Sequence, residues 1–68
     1  MADGKTPGRI IREAREARGM SQMEVAVAIP CSLRAVKGWE SDEYPPSRRM
    51  RANLERVLRI PAAYLVVP

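Results

Sequence analysis

The fold is decided by the stretch from Ser21 to Ser41, SQMEVAVAIPCSLRAVKGWES. It opens with a Ser-x-x-Glu capping box, which marks a helix N-terminus directly before an apolar run. Val25, Ala26 and Ile29 then supply the buried face of this predicted helix. Pro30 is expected to end the helix, because proline disfavours the helical conformation of the residue before it.

A second short helix is predicted directly after this break. Ser32 caps a helix from Leu33 to about Ser41, in which Ala35, Val36 and Trp39 face inward. Two short helices separated by three residues are the outline of a helix-turn-helix motif. The outward face is basic and small, and it holds Leu33, Arg34, Lys37, Gly38 and Ser41. Such a face suits a helix in the major groove of DNA, although a solvated face with two cations fits these residues equally well.

On the N-terminal side, residues 1–6 are short and polar, which predicts a flexible arm. Thr6 and Pro7 are typical of an N-cap followed by proline at the first helical position. Gly19 supplies a C-cap, so the first helix is predicted from Pro7 to Arg18. Its apolar residues recur at helical spacing at Ile10, Ile11, Ala14 and Ala17.

On the C-terminal side, Asp42–Pro46 is a predicted loop that ends in a pair of prolines. Ser47 caps a further helix, whose apolar stripe is Met50, Leu54, Val57 and Leu58. Ile60 and Pro61 interrupt this helix and start a short fifth one. No segment alternates as a strand does, so residues 7–68 are predicted to form one all-α domain, a compact bundle of about five short helices.

Composition limits the classes of function. The 68 residues contain 12 Lys+Arg and 8 Asp+Glu, a net charge of +4 and a pI near 10.0, which favours nucleic acid first and an anionic membrane surface second. Histidine is absent and Cys31 is the single cysteine, which argues against a zinc site and fits a reducing cytoplasm. No apolar run approaches the ~20 residues that span a bilayer. Without a nucleophile–base pair or a phosphate loop, we expect no enzyme, no cofactor and no small-molecule substrate.

From Gly8 to Leu65 the sequence resembles the Cro and phage-repressor family of helix-turn-helix domains. Three segments carry the resemblance in their order and spacing: the run Ile11–Gln22, the packing positions Val25, Ala26 and Ile29, and the pattern Ser32-x-x-Ala35-Val36-x-x-Trp39-Glu40. The resemblance implies a lambda repressor-like bundle. It also implies a transcriptional regulator that binds specific sequences in double-stranded DNA.

The resemblance implies DNA contacts for individual residues. Gln22 matches a glutamine that contacts a phosphate and sometimes the first base. The positions with which the family distinguishes bases correspond here to Ser32, Leu33, Arg34, Lys37 and Gly38, and Ser41 completes their stripe. Arg48 and Arg49 match positions that hold phosphate or reach a minor groove, and helix N-termini favour anions in any family. A solvated basic turn is the alternative for this pair of arginines.

The resemblance also implies a structural ion pair, and the chain departs from the family pattern in two places. Arg15 and Glu40 match positions that some members pair, partly buried, to fix helix orientation rather than to touch DNA. The family usually has glycine with positive φ where this chain has Pro30, whose φ is held at about −65°, so the turn must differ locally. Asp42 and Glu43 lie in a loop expected near phosphate, and we expect them to point away.

Other binding modules stay open at this point. Val25–Arg49 also resembles, more loosely, the helix-turn-helix of small excisionases, which bend DNA and normally add a two-stranded wing. An antitoxin-type module would bind a partner protein through the apolar tail from Ala62 to Val67. Because one small domain contacts few base pairs, we expect a homodimer, cytoplasmic in a bacterium or phage-infected cell, with an interface at Tyr64, Leu65, Val66 and Val67. Closure of the monomer core is the alternative role for Tyr64 and Leu65.

Overall fold

A computed structural model describes residues 6–65, apart from the side chains of residues 62 and 63. In this part of the chain there are four α-helices, one 3-10 turn and no strand: α1 Pro7–Ala17, α2 Gln22–Ala28, α3 Leu33–Glu40, α4 Arg48–Leu58 and the 3-10 turn Ala62–Leu65. The predicted all-α class is confirmed. The fifth element is a 3-10 turn because so short a segment closes with i→i+3 bonds, as from the Tyr64 N–H to the Pro61 carbonyl at 3.0 Å. None of the described helices has the length and apolar character needed to cross a membrane.

Each α-helix begins at the hydroxyl side chain predicted to cap it. These side chains accept a hydrogen bond from the N–H three residues on, at 3.0–3.2 Å, and they are Thr6, Ser21, Ser32 and Ser47. The capping box is complete, since Glu24 also accepts from the Ser21 N–H at 2.7 Å. Gly19 follows α1 with a φ of +66°, the left-handed conformation that favours glycine.

The turn between α2 and α3 differs from the prediction. The helix does end before Pro30, but Ile29 keeps a helical backbone at φ −68° and ψ −45°. The predicted end of the helix before Pro30 is confirmed, but it does not come from a non-helical backbone at Ile29. Ile29 is 1% exposed, so packing in the core holds it in place. The Ile29–Pro30 peptide bond is cis, and the Cys31 N–H donates to the Ala26 carbonyl at 2.7 Å across the turn.

The core is aliphatic apart from one tryptophan. Its buried members come from every element and are Ile11, Val25, Ala26, Ile29, Val36, Trp39, Leu54, Leu58, Ile60 and Leu65. Leu65 is 0% exposed, so the prediction that it forms part of a dimer interface is wrong. The 3-10 turn, which packs against α1 and α4, directs this side chain into the monomer core instead. Tyr64 remains 60% exposed, and Val66 and Val67 lie outside the described residues.

The start of α1 packs closely against the end of α3. A Cβ atom added to Gly8 would lie 2.3 Å from the Trp39 carbonyl oxygen and 2.7 Å from that of Glu40, so only glycine fits there. Asp42, at a φ of +60°, folds back onto this corner. Its carboxylate accepts from the Gly8 N–H at 3.0 Å and from the Thr6 hydroxyl. Asp42 is thus directed toward α1.

Candidate nucleic-acid interface

Helix α3 presents a basic face to solvent because its opposite face is anchored in the core. Val36 and Trp39 are 0% and 4% exposed, which fixes the rotation of the helix about its axis. Arg34 and Lys37 are therefore exposed on the other side, one turn apart. The structure leaves Ser32 and Ser41 exposed at the two ends of this face and Leu33 partly buried.

Gly38 does not lie open on this face. It is buried, and a Cβ atom at this position would come within 2.3 Å of the ring of Tyr44. The Tyr44 hydroxyl donates to the Arg34 carbonyl oxygen at 3.1 Å, one turn back along the same helix. The structure therefore places the tyrosine ring, rather than the glycine backbone, on this part of the surface. Tyr44 was not among the residues predicted for this surface, although a lone aromatic residue beside two prolines in the loop was a usable signal.

The loop that carries Tyr44 connects α3 to the start of α4. Arg48 and Arg49, the first two residues of α4, are exposed. Arg48 lies four positions after Tyr44, so their Cα atoms are at most ~14 Å apart. Pro46 is buried, and its carbonyl accepts from Arg51 Nη1 at 3.4 Å, which anchors the loop. Both arginines are thus exposed at the N-terminus of α4, directly after the loop that follows α3.

A polar network holds the first three helices together. Arg15 of α1 and Glu40 of α3 form a bidentate ion pair, with Nε to Oε2 at 2.7 Å and Nη2 to Oε1 at 3.0 Å. Their side chains are 12% and 5% exposed. Arg15 Nη1 also donates to the Met20 carbonyl at 2.9 Å, and Gln22 Nε2 at the start of α2 donates to Glu40 Oε1 at 3.1 Å. The hydrogen bond to Glu40 raises the pKa of Arg15 above its ordinary value, so the guanidinium stays charged.

Gln22 is partly buried within this network. One of its amide hydrogens is committed to Glu40, so a phosphate contact by Gln22 would use the second. The carboxylate of Glu40 therefore orients the amide as well as the guanidinium of Arg15. The start of α2 and the end of α3 are joined through one partly buried acid, Glu40.

A family model described as helix-turn-helix matches residues 11–65, four-fifths of the chain. The chain belongs to the Cro-type helix-turn-helix family. Neither the curated proteins nor the solved structures yield a significant match. The family consists of DNA-binding regulators rather than enzymes, and the resemblance read from the sequence is confirmed.

The family assignment indicates which helices form the helix-turn-helix motif. In a helix-turn-helix domain α2 crosses the DNA backbone and α3 is the recognition helix. In this chain α3 is followed by helix α4, at the position where an excisionase carries its two-stranded wing. The geometry within residues 6–65 therefore follows the helical pattern of the Cro-type family.

Cys31 lies in the turn of this helix-turn-helix, next to the cap of the recognition helix. It is partly buried, and burial raises the pKa of its thiol, which lowers the fraction of reactive thiolate. Among the described residues no group of three His, Cys, Asp or Glu side chains could hold a metal ion.

Proposed function

We propose that this protein is a Cro- or repressor-like transcriptional regulator that binds specific sequences of double-stranded DNA with α3 in the major groove. One observation carries the proposal: Arg34 and Lys37 project from the face of α3 opposite the buried Val36 and Trp39. An α-helix with its side chains is about 10–12 Å across, which fits a major groove about 12 Å wide. Both cations then enter one groove.

The proposed roles of the four cationic residues follow from their positions on the helices. Arg34 and Lys37 distinguish bases, since arginine pairs with guanine O6 and N7 through two hydrogen bonds. Arg48 and Arg49 hold phosphates at the start of α4, where free backbone N–H groups add to their charge. The remaining contacts are assigned to residues at the edge of this surface, namely Gln22, Ser32, Leu33 and Ser41.

The buried ion pair is proposed to act on DNA binding indirectly. Arg15 and Glu40 are mostly shielded from solvent, at 12% and 5% side-chain exposure, and they join α1 to the end of α3. Because the network also includes Gln22, it fixes both helices of the motif relative to each other. We infer that it sets the angle at which the recognition helix leaves the bundle.

Selection of bound duplexes from a random pool tests the proposal, because it reports sequence, half-site symmetry and spacing together. Titrations of the selected duplex and of a scrambled one then compare three variants. Arg34→Ala should lose discrimination worth about 1–3 kcal/mol and weaken binding mainly to the selected duplex. Arg49→Ala should weaken both duplexes alike and make the slope of log affinity against log salt shallower by about 0.9.

Arg56→Ala is the matched control. It removes the same charge from an exposed site on α4, seven residues and about 10 Å beyond Arg49, and should change neither discrimination nor the salt slope by a comparable amount. Equal losses on both duplexes for Arg34→Ala would contradict its assigned role. Failure of the unaltered protein to enrich any sequence would contradict the proposed function.

We also propose that two copies bind a two-fold site in the cytoplasm of a bacterium or a phage-infected cell. One recognition helix contacts few base pairs, so specificity generally comes from a pair of them. The exposed ring of Tyr64 is available for a contact between copies, whereas Leu65 is not. Sedimentation with and without the selected duplex should show a dimer on DNA that weakens in Tyr64→Ala. A monomer on an asymmetric site would contradict the dimer and would favour a partner protein, as in an antitoxin.

A further inference from the structure

Tyr44 is held against the recognition helix in a defined orientation. Three atoms of its side chain, Cζ, Oη and Cε2, lie nearest the position that a Cβ of Gly38 would occupy. The hydroxyl donates to the Arg34 carbonyl at 3.1 Å. Because one edge of the ring and its hydroxyl face the helix, the opposite edge, which is all carbon, faces away from it.

Tyr44 is accessible from solvent despite this contact with α3. Tyr44 is 38% exposed, one of the few large apolar side chains of the described part that reach the surface. On one side the ring borders a cavity of about 420 Å³, which it shares with Trp39, Pro45 and Pro46. Neighbouring side chains therefore leave more than a third of Tyr44 uncovered. Glycine at position 38 is what allows the ring to lie so close to the helix, since any side chain there would displace it.

The hydrogen bond of Tyr44 excludes the ordinary use of a tyrosine on DNA. A phenol has one hydrogen to donate, and here it is given to the carbonyl of Arg34. Phosphate oxygens only accept hydrogen bonds, so Tyr44 could hold a phosphate only after giving up this bond. A carbon edge beside the base-contacting face of α3 instead suits an apolar partner, and in the major groove that partner is the thymine methyl group.

We propose that Tyr44 is a specificity-determining residue that selects thymine through an apolar contact with its 5-methyl group. The inference rests on the proposed function, because it requires α3 in the major groove. The bond to the Arg34 carbonyl places the ring beside Arg34, so the selected thymine lies within one or two base pairs of the base that Arg34 contacts. Gly38 takes part as the site that receives the ring, and no direct base contact is assigned to it.

The test uses the duplex selected by the unaltered protein, with each thymine replaced singly by uracil, which lacks only the methyl group. Loss of one buried methyl should weaken binding about fourfold at one position next to the Arg34 contact. Tyr44→Ala should bind the thymine and uracil duplexes equally. Tyr44→Phe keeps the carbon edge and should retain most of the fourfold difference. Thermal melts of both variants should confirm that they fold, because substitution of a half-exposed side chain leaves the core intact.

Three results would overturn the inference. The first is methyl sensitivity that persists in Tyr44→Ala. The second is that no thymine in the duplex is sensitive to loss of its methyl group. The third is that Tyr44→Ala loses equal affinity for the selected and the scrambled duplex, which marks a phosphate contact. The unaltered protein serves as the reference for the proposed function itself. If it prefers the selected duplex, a failed uracil test rejects only the role of Tyr44, whereas absence of that preference rejects the function as well.

Discussion

Removal of one partner from the Arg15–Glu40 ion pair should destabilise the protein far more than an exposed ion pair would predict. Both side chains are nearly inaccessible, at 12% and 5% exposure, and the geometry is bidentate. Glu40→Ala leaves a buried guanidinium whose remaining partners are the Met20 carbonyl and the more distant Glu16 carboxylate at 3.9 Å. An uncompensated buried charge costs about 3–5 kcal/mol.

The double variant supplies the decisive comparison. Removing both charges leaves neither buried alone, so Arg15→Ala with Glu40→Ala should cost less than the sum of the two single changes, by about 2–3 kcal/mol. For a domain of this size each kcal/mol lowers the melting temperature by roughly 4–8 °C. Each single variant should therefore melt at least about 12 °C below the unaltered protein.

Urea titrations followed by circular dichroism at 10 °C give the free energies of unfolding of the unaltered protein, the two single variants and the double variant. The pair formed by Arg9 and Glu13 in α1 is a control within the same chain. Its Nε to Oε2 distance is 3.0 Å, but its side chains are 55% and 38% exposed. Its coupling should be about 0.3–0.5 kcal/mol, because water screens both charges. Additive effects of Arg15→Ala and Glu40→Ala would refute the reasoning, since they would mean that the buried pair is not coupled.

Two further predictions concern packing. Gly8→Ala should cost about 1–3 kcal/mol in thermal melts, because the new Cβ meets the Trp39 carbonyl at 2.3 Å; an unchanged melting temperature would show that α1 and α3 are not so close. Leu65→Ala should cost about 2–5 kcal/mol at protein concentrations where the chain is monomeric, whereas Tyr64→Ala should stay within about 0.5 kcal/mol. Equal effects of the two changes would contradict the assignment of Leu65 to the monomer core.

Local chemistry made much of this fold predictable. The four caps lie three residues before the N–H groups that they bind, so each helix start is encoded within one turn of chain. The inward face of α3 was predictable for a related reason: Val36 and Trp39 are three residues apart, and helical geometry puts such residues on one side. Once those two are buried, Arg34 and Lys37 have to point outward.

What the sequence by itself determined was thus the helix starts, their order, the basic face of α3 and the family. The tertiary structure alone decided that Tyr44 covers Gly38, that Asp42 turns back to α1 and that Leu65 is buried. The first two depend on the path of the loop after α3, and the third on how the final turn packs against α1 and α4. Contacts between residues far apart in the chain follow from the packing of whole helices, which no local pattern records.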